Sequence, residues 1–152
     1  MIEYAHVKQA VEKIELEDYT FFEVYGLGFA LVYHEQNGDA SPAIYSYPSE
    51  KVDGADVILW ETVPMEFRRP IILHEVSEFL LRKPTMTCPY FELDTDEVHP
   101  KAKEWDERYA REILTDSNFE AYMKYKHLLH SIQYHQHSVD LPNLFFYSFP
   151  FS

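Results

Sequence analysis

The sequence His74-Glu75-Val76-Ser77-Glu78 places an imidazole and two carboxylates within one and a half helical turns. Residues four positions apart lie on the same face of a helix, so the side chains of His74 and Glu78 can converge on one cation. Glu75 projects about 100° away from His74 around the helix, which leaves it available as a general base toward a metal-bound water. This HExxE pattern therefore predicts two metal ligands and one base on a single helix.

A catalytic zinc site has three protein ligands and one open position. The best third ligand is His99, which follows Glu78 by 21 residues and stands at the start of the next expected helix. Asp106 follows on the same face of that helix and is either a further ligand or a carboxylate that orients a ring nitrogen. The ExxxD spacing of Glu92 and Asp96 offers an alternative, ranked lower because its surroundings have the composition of a loop.

The motif lies in a segment with the pattern of a buried helix. Pro70 suits the first turn of a helix, and Pro84 ends it. Buried ionisable groups on such a helix would be unfavourable by several kcal/mol without a partner, and a metal would relieve that cost. The alternative is a solvated face on which Glu78 pairs with Arg82, four residues later. The apolar face comprises Ile71, Ile72, Leu73, Val76, Phe79, Leu80 and Leu81.

The first 63 residues predict one helix followed by strands. Apolar residues recur at helical spacing between residues 2 and 14 and indicate a short amphipathic helix. Aromatic and β-branched residues then predict two strands that meet at Gly26 and Gly28. A third strand is expected over residues 43–47, after the Asn37-Gly38-Asp39 turn, and a fourth over residues 55–63.

Downstream of the motif the sequence predicts mainly helices. Residues 84–98 contain two prolines and four acidic residues, which is typical of a loop. One helix is expected from His99 or Pro100 to Leu114, and another, capped by Asp116 or Ser117, over residues 119–135. The elements together predict one α+β domain over residues 1–152. Its small antiparallel or mixed sheet, of about four strands, packs against three to four helices.

Composition restricts the partners and the ligands. With 13 Lys+Arg against 26 Asp+Glu the net charge is −13, which disfavours binding to nucleic acid and to anionic membranes. The only cysteine, Cys88, excludes an intramolecular disulfide and a cysteine-rich zinc site, so His and carboxylates must hold any metal. We find neither a signal-peptide pattern nor an apolar run long enough to span a bilayer, and we expect a cytoplasmic protein.

Two C-terminal features remain open. The four histidines of this region form either an extra metal site or a set of surface and interface side chains. The tail, residues 141–152, is too apolar to remain in solvent and is expected to pack onto the body or onto a partner, including a second copy of the chain. The histidines are His127, His130, His135 and His137.

The strand before HEVSE, the motif helix and the helix that begins at His99 resemble the core of zincin-type metallopeptidases. The likeness is greatest to small zincin-like proteins with HExxE and a downstream His-x-x-Ala-x-x-x-acid segment, and it covers residues 55–114. The resemblance implies a minimal zincin-like fold in which the preceding strand borders a substrate cleft. It also implies that His74, Glu78 and His99 hold Zn²⁺ or another divalent metal, with Glu75 as base.

Two classes of function follow from these features. The first is a zinc-dependent hydrolase, peptidases included, that acts on an unidentified peptide or small molecule through metal-activated water. The second is a non-catalytic acidic binding protein, of the immunity or inhibitor type, with a degenerate zincin-like fold. The charge of −13 and the aromatic tail favour the second class, because charge steers encounter with a basic partner and aromatic side chains anchor it.

Overall fold

A computed structural model describes residues 1–35, 43–46, 54–82, 95–136 and 146–147. The described residues have the α+β composition that the sequence predicts. The elements are α1 (Tyr4–Lys13), β1 (Thr20–Val24), β2 (Leu27–His34), β3 (Ala43–Ser46), β4 (Gly54–Trp60), a 3₁₀ turn (Met65–Phe67), α2 (Arg68–Arg82), α3 (Thr95–Ile113), α4 (Asp116–Gln136) and β5 (Phe146–Tyr147).

The sheet is mixed and has the order β1-β2-β4-β3-β5. β2 and β4 run parallel, and the other neighbours are antiparallel. The turn between β1 and β2 holds Tyr25 at φ 52° and Gly26 at φ 76°, the left-handed pair that a tight hairpin uses. Gly54 pairs with Gly28, and a Cβ on Gly54 would lie 2.1 Å from the carbonyl oxygen of Gly28, so a larger residue would part the strands.

The sheet has one strand more than the expected four. The additional strand, β5, is a two-residue segment of the aromatic tail that pairs with β3 through Ser46 and Phe146 and through Tyr45 and Tyr147. So short a strand has no alternating pattern from which a sequence can predict it. The Asn37-Gly38-Asp39 turn, Cys88, Glu92 and the rest of the tail lie outside the described residues.

The loop expected over residues 84–98 ends earlier than the sequence indicates. α3 begins at Thr95, so His99 lies more than one turn inside the helix and Pro100 follows it there. Asp96 and Glu97, interpreted as loop residues, occupy the first turn of α3, where carboxylates interact favourably with the helix dipole. The next helix also begins earlier, because the hydroxyl of Thr115 accepts from the N–H of Asn118. Thr115, rather than Asp116 or Ser117, therefore caps α4.

Helix α2 lies at the centre of the molecule. It packs against α1 and α3 and against strands β3 and β4. All but three of its fifteen residues are buried, so its polar side chains are enclosed together with its apolar ones. A helix with no solvated face must satisfy its polar groups inside the protein. Within the described residues, no helix combines the length and the apolar character needed to cross a bilayer.

Candidate metal centre

Helices α2 and α3 bring His74, Glu78 and His99 together. The Oε1 atom of Glu78 lies 2.5 Å from Nε2 of His74 and 3.0 Å from Nδ1 of His99. The two imidazole rings are 5.2 Å apart and nearly perpendicular. One nitrogen or oxygen from each of the three residues lies within 4.8 Å of the others, a spacing that allows all three atoms to contact one cation. The three residues nominated from sequence as ligands are thus neighbours.

Two features of the helices produce this arrangement. On α2, the four-residue spacing places the imidazole of His74 directly beside the carboxylate of Glu78. On α3, Ala102 is fully buried one turn after His99, and its small side chain permits close approach to α2. His99 is also the member of the group that reaches solvent, because its side chain is 18% exposed, whereas that of Glu78 is 0% exposed.

Asp106 contacts the opposite side of the His74 ring. Its Oδ2 atom lies 2.6 Å from Nδ1 of His74, and its other oxygen accepts from Tyr122 Oη at 2.7 Å and from Lys126 Nζ at 2.8 Å. This is the geometry of a carboxylate that orients a ring nitrogen, the second of the two roles that the sequence left open.

Sequence reasoning missed Tyr122 and Lys126. Both lie on α4, and their four-residue spacing places them on one face of that helix. The signal that was available is a lysine in line with apolar positions of a helix, where a buried ammonium needs a carboxylate partner. On this helix the sequence instead nominated His127, as part of a possible extra metal site, and its side chain is exposed.

Glu75 is buried, and the described residues give it no hydrogen-bond partner. Its side chain is fully enclosed, and neither carboxylate oxygen accepts a hydrogen bond within the part of the chain that the structure describes. Burial, followed by repulsion from Glu78, raises the pKa of Glu75 well above its usual value. A carboxylate in this setting needs either its own proton or a donor that the described residues do not supply.

The alternative prediction, a solvated helix face on which Glu78 pairs with Arg82, is wrong about solvent exposure. Glu75 and Glu78 are both completely buried, because α2 is covered on every side. The guanidinium of Arg82 does lie 3.7 Å from Oε2 of Glu78, but this pair is itself buried. A buried pair of this kind compensates charge inside the protein and is not a surface ion pair.

The ionisable groups set each other's protonation. Burial by itself lowers the pKa of His74, but the carboxylates of Glu78 and Asp106 outweigh it and raise that pKa to about 9. Burial likewise opposes ionisation of Glu78, yet contact with His74 and then His99 lowers its pKa. The carboxylates beside His74 thus favour a proton on its ring, and a metal ion bound at Nε2 would take the place of a proton there.

Within the described residues, no other candidate joins the group. Among the described residues, the set His74, Glu78 and His99 is the one whose His, Cys, Asp or Glu side chains are close enough to share a cation. The side chains of His130 and His135 lie outside the described part of the chain, as does His137.

Comparison of the chain with protein-family models, with curated proteins and with solved structures found no match to any of them.

Proposed function

We propose that the chain is a metal-dependent hydrolase that binds Zn²⁺ or a related divalent cation through His74, Glu78 and His99, with Glu75 as general base. The observation that carries the proposal is the convergence of three ligand atoms beside a buried carboxylate for which the described residues supply no donor. The order of β4, α2 and α3 along the chain further supports a minimal zincin-like arrangement, and we place the protein in the cytoplasm, as expected from its sequence.

The donor set fits zinc. Two imidazole nitrogens and one carboxylate oxygen form a known three-ligand set of catalytic zinc sites, and a fourth position remains for water or substrate. The distances between the ligand atoms, all below 4.8 Å, are compatible with ligands about 2 Å from a common centre.

The charge balance also fits a cation. With the three carboxylates ionised and the imidazoles neutral, the fully buried Glu75, Glu78 and Asp106 exceed the fully buried cations Arg82 and Lys126 by one negative charge, which either a proton or a bound cation would offset. A divalent ion would overcome this excess, and it would do so next to Glu78, where the carboxylate has two imidazole partners. Charged groups are retained in an interior only where such pairing exists.

The chain's own residues would divide the chemistry as follows. A bound Zn²⁺ would act as a Lewis acid toward a water molecule and a substrate carbonyl. Glu75 would accept a proton from the attacking water and later transfer it to the leaving group. Asp106 would keep a proton on Nδ1 of His74 and thereby leave Nε2 as the ligand atom.

Metal content tests the first half of the proposal. Untagged protein should contain equimolar zinc, and His74→Ala should lose it. The control variant His127→Ala, which changes an exposed histidine on α4, should retain it. Zinc well below one equivalent, unchanged by His74→Ala, would contradict the proposal. The second half is tested with Glu75→Gln in a screen of peptide, ester and amide substrates: we expect metal to be retained and hydrolysis to be lost.

The second candidate is an acidic binding protein. It is favoured by the outer edge of the sheet, where β1 has no strand beyond it among the described residues and exposes Phe21 (78%) next to Tyr19. Aromatic side chains on an open edge, in a chain of charge −13, suit a basic partner. Capture by an immobilised basic protein that weakens steeply with salt, in a chain that binds no zinc, would favour this function over hydrolysis.

A further inference from the structure

Asp106 is the point at which three helices meet at the candidate metal centre. Its Oδ2 contacts His74 of α2, while its Oδ1 accepts from Tyr122 and Lys126 of α4. Each of these four side chains is at most 1% exposed. Such a buried, charged, fully hydrogen-bonded network is costly to assemble and is strongly destabilised when one member is removed.

The division of donors between the two oxygens fixes the carboxylate. Two donors on Oδ1 hold the plane of the Asp106 group and leave Oδ2 for Nδ1 of His74. The imidazole is then held from one side by Asp106 at 2.6 Å, and its Nε2 points to Glu78 at 2.5 Å on the other. Lys126 Nζ also donates to Asp106 and to Glu107, each at 2.8 Å, and so holds the Asp106 carboxylate from the side of α4.

We propose that Tyr122 and Lys126 are positioning residues of the metal centre, which act through Asp106 to hold the ring of His74 in its ligating orientation. The inference rests on the proposed metal site. It extends the site to α4, an element beyond residues 55–114. Partners of this kind orient a metal-bound imidazole and raise its basicity, so their removal should weaken metal binding without removing a ligand.

The experiment measures Zn²⁺ affinity of the metal-depleted full chain by competition with a coloured chelator at one near-neutral pH. Tyr122→Phe removes a single oxygen and should weaken affinity about 10-fold; Lys126→Met should weaken it by up to about 100-fold, and Lys126→Arg should restore most of the loss. The visible spectrum of bound Co²⁺ should shift in Tyr122→Phe and Lys126→Met, because the ring of His74 is no longer fixed.

Matched controls lie on the same helix. The ring of Tyr125 packs on Phe67 at 5.4 Å, as that of Tyr122 does at 5.3 Å, but no described hydrogen bond involves the Tyr125 hydroxyl. Tyr125→Phe and the exposed Lys124→Met should therefore keep wild-type affinity and spectrum.

The outcomes separate this inference from the function on which it rests. Wild-type affinity and spectrum in folded Tyr122→Phe, in a chain that binds zinc, would overturn the positioning role alone. Absence of zinc binding in the wild type would overturn both. If Lys126→Met does not fold, Tyr122→Phe decides, because the loss of one hydroxyl leaves the packing against Phe67 in place.

Discussion

At the scale of single residues, Glu78 is the side chain on which the centre depends most. One of its oxygens contacts both His74 and His99, and the other faces Arg82. Removing its charge would leave a buried guanidinium without this carboxylate and would take one oxygen from the proposed ligand set. Both effects have the same origin, since the Glu78 charge that would attract a metal ion also compensates the buried guanidinium of Arg82.

We predict that Glu78→Gln destabilises the metal-free protein by about 3 kcal/mol, because one partner of a buried ion pair is lost. The amide also lowers Zn²⁺ affinity by at least 100-fold, since a neutral oxygen replaces an anionic ligand. Denaturant unfolding and chelator competition measure the two effects. Glu104→Gln, 66% exposed on α3, should change neither; equal behaviour of the two variants would contradict the prediction.

The residues that sequence reasoning found and those that it missed differ in how far apart they lie along the chain. Spacing on one helix identifies His74, Glu75 and Glu78, because helical geometry relates positions four apart. His99 is found because it opens the next recognisable segment. Tyr122 and Lys126 are missed because a lysine among apolar helix positions indicates only that a carboxylate must be near, and which carboxylate it contacts depends on how α3 and α4 pack.

At the scale of elements, α1 is joined to α3 by a polar cluster far from the metal centre. Glu112 on α3 accepts from Tyr4 Oη and from Lys8 Nζ, both at 2.6 Å, and the guanidinium of Arg108 lies 4.1 Å from the Tyr4 ring. Arg69 of α2 donates to backbone carbonyls at the end of α1. These contacts hold the N-terminal helix against α2 and α3.

The cluster predicts a pH dependence of stability. Hydrogen bonds from Lys8 and Tyr4 lower the pKa of Glu112 in the folded state. The stabilisation is therefore present above the ordinary glutamate pKa and is lost as pH falls through the lowered value. We expect Glu112→Gln to be less stable than wild type at neutral pH and equal to it in strong acid.

Urea unfolding at several pH values, read by the circular dichroism of the helices, measures this difference. Glu120→Gln, an exposed change on α4, serves as the control and should follow the wild-type profile throughout. A deficit of Glu112→Gln that persists unchanged in acid would show that the carboxylate charge is not the cause.

Apolar periodicity predicts which helices and strands exist, whereas residue type alone predicts poorly where an element begins. The buried face of α2 and the existence of strands β2 and β4 follow from long apolar runs, which mark burial directly, whereas the parallel pairing of β2 with β4 is seen only in the structure. The start of α3 at Thr95 was missed because acidic residues suit both loops and first helical turns. The strand β5 was missed because pairing across the sheet, and not local propensity, creates it.

At the scale of the whole molecule, the net charge of −13 has two parts. The carboxylates of Glu75, Glu78 and Asp106 are fully buried at the candidate centre, whereas other described acidic side chains, such as Glu104, are exposed to solvent and repel one another there. A bound zinc ion would compensate the buried charges, whereas dissolved salt would screen the exposed ones. The two contributions can therefore be separated by measuring stability against each in turn.

We predict that Zn²⁺ stabilises the chelator-treated protein against heat. A ligand that binds only the folded state at about 100 times its Kd contributes about 2.7 kcal/mol. For a chain of this length such a contribution raises Tm by roughly 5–10 °C. Mg²⁺ at the same concentration should give no comparable rise, because it prefers oxygen ligands to imidazole.

Calorimetry with and without Zn²⁺, at constant ionic strength, is the measurement. His99→Ala removes the proposed ligand on α3, so the Tm of this variant should not respond to zinc, while its response to sodium chloride should match that of wild type. An equal zinc response in His99→Ala and wild type would place any bound zinc elsewhere on the acidic surface. The ion would then have no role in joining α2 to α3, and the buried charges at their interface would have to be balanced by protons alone.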